Sequence, residues 1–167
     1  MSIGANLPGR DGASPLVTCR RAALALDALP RLRLRGLSNW YETAPVLGPG
    51  ETSRSMPRYV NGMAHLAGGP VDAAELLAQL MTIEAGAGRV RSVRNAPRVL
   101  DLDIIAIGDM VRRGPDPILP HPRAHERAFV LAPLAEVAPD WVHPGLGRCV
   151  GELLGALSGQ DLRLIDP

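Results

Sequence analysis

Asp101 and Asp103 stand one residue apart in the run Val99 to Ile107, the most apolar strand candidate of the chain. Successive strand residues face opposite ways, so the two carboxylates share a face with their backbones about 7 Å apart, while Leu100, Leu102 and Ile104 face the other way. Acids emerging from so apolar a strand are costly to desolvate unless cations accompany them. Hard oxygen ligands in small number suit Mg²⁺, which retains waters and is usually held by one or two carboxylates plus substrate phosphates. The same pair also fits two solvated acids at a strand end, or acids bridged to nearby arginines. Arg89, Arg91, Arg94 and Arg98 lie just ahead of it, in a stretch containing Gly86, Gly88 and Pro97. Four guanidiniums are more than two aspartates can pair. The excess points to a polyanion, because Arg grips phosphate oxygens in a fork and spreads charge in phosphoryl transfer.

Composition narrows the chemistry further. All 18 basic residues are Arg and none is Lys, which excludes a lysine-containing phosphate loop, a Schiff base and lysine-held pyridoxal phosphate. Any phosphate must therefore be neutralised by Arg or by metal. A GC-rich genome accounts for most of the Lys-free count, but the exclusion stands either way. Net charge is +1 and 46% of residues are apolar, values of an ordinary globular domain, so residues 1–167 are expected to form one domain. With neither a long apolar stretch nor a leader-like start, no membrane partner is expected and a cytoplasmic location is. Cys19 and Cys149 lie far apart without a C-x-x-C partner, which fits two buried thiols in a reducing compartment rather than a zinc site or disulfide. A basic loop also suits nucleic acid, but one Phe, two Trp and two Tyr offer little surface for stacking bases, so no nucleic-acid partner is expected. The segment Pro120 to Phe129 adds His121, His125, Arg123 and Arg127. Its H-x-x-x-H spacing lacks the Glu of a zinc protease motif and a third ligand, whereas a histidine donating to phosphate beside Arg127 fits the arginine loop. His65, in mid-strand, reads as structural.

These residues need a frame. Ser14 and Pro15 read as the cap and first residue of a helix, with Leu16, Cys19, Ala23 and Leu26 at helical spacing, reaching about Leu29 before Pro30. Residues 32–43 suggest a strand with a bend near Gly36, and 44–58 a loop rich in Pro, Gly and Ser. Tyr59 to Ala67 alternates Val60, Gly62, Ala64 and Leu66 against Tyr59, Asn61, Met63 and His65, a strand with one packed face. Asp72 with Glu75 opens a second helix whose apolar stripe is Leu76, Leu77, Leu80 and Ile83, ending before Gly86. After the Val99 to Ile107 strand, Gly108-Asp109 predicts a hairpin turn towards residues 110–112. A third helix beginning near Pro122 runs to about Ala138, bent at Pro133, and a last one spans about 150–157. This order, with antiparallel connections and helices on one side, predicts an α+β fold with a ferredoxin-like antiparallel sheet.

The strings Ile3-Gly4-Ala5-Asn6-Leu7, Tyr41-Glu42-Thr43-Ala44-Pro45, Tyr59-Val60-Asn61, Gly88-Arg89-Val90-Arg91, Pro97 to Asp103, Pro120-His121-Pro122-Arg123 and Arg127-Ala128-Phe129 together resemble the 6-hydroxymethyl-7,8-dihydropterin pyrophosphokinases. The resemblance is collinear over most of the chain. It implies transfer of a diphosphate from ATP to a pterin alcohol in folate synthesis, leaving AMP, by a monomer acting on small-molecule substrates. It implies that Asp101 and Asp103 hold two Mg²⁺ ions and that Arg89 and Arg98 act in catalysis. ATP would be contacted by Glu84, Arg89, Arg91, Arg98, Ile104, His121 and Arg127. Thr43, Ala44, Val46, Tyr59, Asn61 and Phe129 would bind the pterin, with the Asn61 amide facing the heterocycle edge. The chain departs from the family pattern at Asn95, where members often carry Trp, at Asp116, where some carry Arg, and at Met81, where some have a polar contact. The segment ahead of Ile3 is also short.

Overall fold

The computed structural model describes residues 1–45, 57–90 and 96–166. A long strand, β4 (Tyr59–Gly68), is the spine of an antiparallel sheet. Along one edge it pairs with β1 (Ser2–Ala5), Gly4 opposite Asn61, and β1 pairs in turn with β5 (Asp101–Asp103), Ile3 opposite Leu102. Along its other edge β4 serves two partners in succession. Its start faces β3 (Tyr41–Thr43) and its end faces β2 (Leu32–Leu37), whose register shifts between Leu34 and Gly36. The single bent strand expected over 32–43 is therefore two strands. The break lies at Ser38, whose backbone N–H donates to Met63 O and whose hydroxyl accepts the Met63 N–H. Just after it Trp40 turns its ring over Gly62, where a Cβ would sit 2.6 Å from ring carbons. A further strand, β6 (Leu162–Leu164), pairs with β3; three residues are too short a run to show periodicity, and sequence reasoning did not find it.

Helix α1 (Pro15–Asp27) starts where Ser14 Oγ accepts the Val17 N–H, and α2 (Ala73–Gly86) where Asp72 Oδ1 accepts the Ala74 and Glu75 N–H groups. Both pack on the face carrying Ile3, Val60, Ala64 and Leu102 through Cys19, Ala22, Leu26, Leu76 and Leu80. Met63 points the opposite way and meets Val130, Leu131 and Leu134 of α3 (Ala128–Val137) and Val150 and Leu153 of α4 (Val150–Gly155). Helices thus cover both faces, and β4 is buried continuously from Val60 to Ala64. This corrects the expectation of helices on one side and of one packed strand face: alternation shows that two faces differ, not that one of them is wet.

Other boundaries also moved. The strand expected over 99–107 keeps ladder pairing only over Asp101–Asp103, because β1 offers partners only from Ser2 to Gly4. Its continuation, Ile104 and Ile105, is buried without a strand partner, and Ile105 O accepts the His121 N–H instead. No hairpin forms after Gly108-Asp109; Arg112 pairs with Leu119. The third helix begins at Ala128, preceded by a single 3-10 turn at Ala124–Glu126, and carries Pro133 inside. Cys19 is buried, and burial pushes its thiol up to about 12. Cys149 is only partly buried: its Sγ accepts the Glu152 N–H while Glu152 accepts the Cys149 N–H, a reciprocal cap on α4. Among the described residues no helix is long and apolar enough to cross a membrane.

Candidate active site

The face of the sheet shared with α3 opens, towards the β5 edge, into a cavity of about 420 Å³. Strand alternation delivers its floor: Asp101 and Asp103 from β5, Ser2 and Gly4 from β1, Tyr59 and Asn61 from β4, and Thr43 at the end of β3. One wall is the segment 121–130, with His121, Arg123, Arg127 and Phe129; another is formed by Arg89, Val90 and Ala96 to Arg98. Four arginines therefore face two aspartates among the described lining residues, and the remaining positive charge suits an anion.

The carboxylates are not equivalent. Asp101 Oδ1 accepts from Arg89 Nη1 at 2.6 Å and from Arg98 Nη1 at 2.9 Å. Asp103 has no such bridge among the described residues; burial and then the Asp101 charge push its carboxyl up to about 6, against the pull of Arg127. Two acids held this close, one reluctant to ionise, form a donor set that a divalent cation would complete. Among the described residues no three His, Cys, Asp or Glu side chains converge, so a cation here would draw its remaining ligands from water and substrate, as Mg²⁺ commonly does.

The arginines are aimed by groups behind the cavity. Glu84, 4% exposed at the end of α2, accepts from Arg89 Nη1 and, at 2.8 Å, from the Leu102 N–H of β5. It ties the arginine to the strand bearing both aspartates. Of the residues expected to contact nucleotide, Glu84 and Ile104 are not among the described lining of the cavity: Glu84 bonds Arg89, and the Ile104 side chain is buried in the core. Arg98 is fixed by Asn6, whose Oδ1 accepts the Arg98 N–H at 2.7 Å, whose own N–H donates to Arg98 O, and whose Nδ2 donates to Pro57 O at 3.2 Å. Sequence reasoning noted Asn6 only within a matching string; that a buried amide joins two chain segments is a long-range fact.

His121 is pushed down to about 4 by burial and by Arg127 and Arg123, so it is neutral at pH 7. Its Nδ1 accepts the Arg123 N–H at 3.2 Å, which leaves the proton on Nε2 as a donor. The Arg127 guanidinium lies 5.5 Å from the centre of the Phe129 ring, within cation–π range. Asn61 is buried, and its Nδ2 donates to Thr43 Oγ1 at 2.8 Å. Its Oδ1 lies 3.3 Å from where a Cβ on Gly4 would stand, so the glycine leaves room for the amide. Ala44 lines the cavity beside Pro45. Val46, Arg91 and Asn95 lie outside the described residues. Met81 on α2 and Asp116 are away from the cavity; Arg123 lines it, as do Ser2, Gly4, Pro45 and Val90, which were not singled out as site residues from the sequence.

A family model described as 7,8-dihydro-6-hydroxymethylpterin-pyrophosphokinase matches residues 1–139. The chain belongs to this pyrophosphokinase family. Within it, the 2-amino-4-hydroxy-6-hydroxymethyldihydropteridine pyrophosphokinase of Pseudomonas aeruginosa is 41% identical over 158 residues, covering 93% of this chain and 89% of the relative. The protein of the same name in Haemophilus influenzae is 31% identical, covering 100% of this chain and 97% of the relative. A "Folic acid synthesis protein fol1" of Pneumocystis carinii is 28% identical over the full chain, which spans 21% of that longer protein. The family match ends at Pro139 and so includes every cavity-lining residue, but not α4 or β6.

Proposed function

We propose that this protein transfers a diphosphate from ATP to the hydroxyl of 6-hydroxymethyl-7,8-dihydropterin, giving AMP and the pterin diphosphate, a step of folate synthesis. Family membership supplies the reaction. The observation that carries it to these residues is that one cavity brings two aspartates and four arginines together with the hydrogen-bonded Asn61 amide and Thr43 hydroxyl. Asp101 and Asp103 would hold Mg²⁺, two ions on the family pattern, which when bound would neutralise charge on the phosphates. Arg89 and Arg98, already turned to Asp101, would bind phosphate oxygens and stabilise charge during transfer. His121 Nε2–H and Arg127 would support the nucleotide, and Arg91 is assigned to it by the family pattern alone. The heterocycle would lie against Tyr59 and Phe129 with its edge on Asn61 and Thr43, near Ala44 and Val46.

The pterin hydroxyl oxygen attacks the β-phosphorus in line, the bond from that phosphorus to the oxygen bridging the α-phosphate breaks, and AMP departs with the bridging oxygen. The hydroxyl proton passes to solvent. Positioning and charge neutralisation supply most of the rate. The strand order β5-β1-β4 followed by β3 and β2 supports the ferredoxin-like reading of the sheet, and we carry the chain as one domain working as a cytoplasmic monomer. The test is direct: with ATP, Mg²⁺ and the reduced pterin alcohol, AMP and the pterin diphosphate should accumulate together. ADP as the product, or no turnover, would overturn the assignment.

A further inference from the structure

Arg127 reaches the cavity from an awkward place in the backbone. It is the N-cap residue of α3, extended at φ −126° and ψ 110°, and its own side chain forms no capping bond. The N–H groups of the first helical turn have no partner within the helix. The Ala128 N–H, first of them, donates to the side-chain carbonyl of Gln160 at 2.8 Å, and the Gln160 side-chain N–H donates to Glu126 O at 2.9 Å. One primary amide thus holds the peptide groups on both sides of Arg127, as a neighbouring strand would.

Gln160 comes from 32 residues beyond the helix start, in a segment that is also bonded to the sheet. Asp161 Oδ2 accepts from Arg58 Nη2 at 2.6 Å, Arg58 Nε donates to Glu42 at 2.7 Å, and Leu162 of β6 pairs with Thr43. The segment therefore stands on the sheet by its own bonds, giving Gln160 a fixed base from which to hold Arg127. It lies wholly outside the residues matched by the family model.

We propose that Gln160 is a positioning residue for nucleotide binding: its amide sets the backbone of Arg127 and thereby aims the guanidinium into the phosphate end of the cavity. The inference rests on the reading of Arg127 as a nucleotide ligand. Each of its two hydrogen bonds is individually modest, but both act on one residue, and phosphate recognition by a guanidinium depends on its orientation.

The full-length protein is titrated with a non-hydrolysable ATP analogue in Mg²⁺, and thermal unfolding is followed in parallel. Gln160→Leu, close in shape but without hydrogen bonds, should weaken the analogue about tenfold. Gln160→Glu, which keeps the acceptor for the Ala128 N–H at a helix N-terminus that favours anions, should weaken it about threefold. Asp161→Asn loosens the same segment at its bond to Arg58 and should leave analogue affinity unchanged. Equal losses from Gln160→Leu and Asp161→Asn would overturn the inference, since the segment would then act only as general support. If Gln160→Leu fails to fold, wild-type affinity in Gln160→Glu overturns it as well. No binding by the wild-type protein would overturn the nucleotide reading of Arg127, and this inference with it; tight wild-type binding with undisturbed variants would overturn this inference alone.

Discussion

Asp103 is where stability and function conflict most openly. In the metal-free protein its native carboxyl titrates near 6, above the ordinary carboxylate value of 3.8. Between those values the native state holds more protons than the unfolded chain, so stability falls as pH rises from about 4 to 6, and the full penalty stands above 6. Asp103→Asn should therefore raise the melting temperature at pH 8 by about 3 °C, with no gain at pH 4, while abolishing turnover. Equal melting at pH 8 would mean the carboxylate is better solvated than its surroundings indicate. His121 is the converse case. Its ring should remain neutral with the proton on Nε2 down to about pH 4, and imidazole nitrogen shifts followed between pH 8 and 5 should show no titration. Glu84 is legible as a helix-end acid but not as what it is, a buried carboxylate shared by Arg89 and the Leu102 amide. Removing it leaves the buried Leu102 N–H without its acceptor and Arg89 with Asp101 in place of two carboxylates, so Glu84→Ala should lower unfolding free energy by about 3 kcal/mol in urea melts.

At the scale of elements, β4 determines most of the site's geometry, because one strand presents Asn61 and Tyr59 to the cavity while Gly62 receives Trp40 from behind. An added methyl at Gly62 would press on a rigid ring rather than on a movable chain end. Gly62→Ala should cost about 2 kcal/mol, and it should raise the pterin KM through the adjacent Asn61; an unperturbed KM would show that the strand can absorb the strain elsewhere. The caps of α1 and α2 were legible because Ser14 and Asp72 act on N–H groups two or three residues away. The start of α3 was not, because its cap is supplied by Gln160 from far along the chain. The hairpin expected at Gly108-Asp109 failed for a related reason: a turn-forming pair permits a hairpin, but the strand that would pair beyond it, Leu119 with Arg112, comes from elsewhere.

For the whole molecule, the proposed function makes the two aspartates and the arginines one binding unit. An ATP analogue with Mg²⁺ at a hundred times its dissociation constant should stabilise the protein by about 2.7 kcal/mol, and the gain should largely vanish when Mg²⁺ is removed. An equal gain without Mg²⁺ would argue that the arginines alone hold the nucleotide. The sequence by itself pointed to the chemistry: a Lys-free chain, an Asp pair on one strand face and clustered arginines suggest a phosphate site through residue type and near-neighbour spacing, which are local properties. Tertiary structure decided the division of labour, making Asp101 the bridged acid and Asp103 the reluctant one, and placing Glu84, Asn6 and Gln160 behind the residues that face the cavity. It also decided that both faces of the sheet are covered. These outcomes depend on which distant segments exclude water from which side chains, and a carboxylate's burial or an amide's partner is set by the packed fold rather than by its neighbours in the chain.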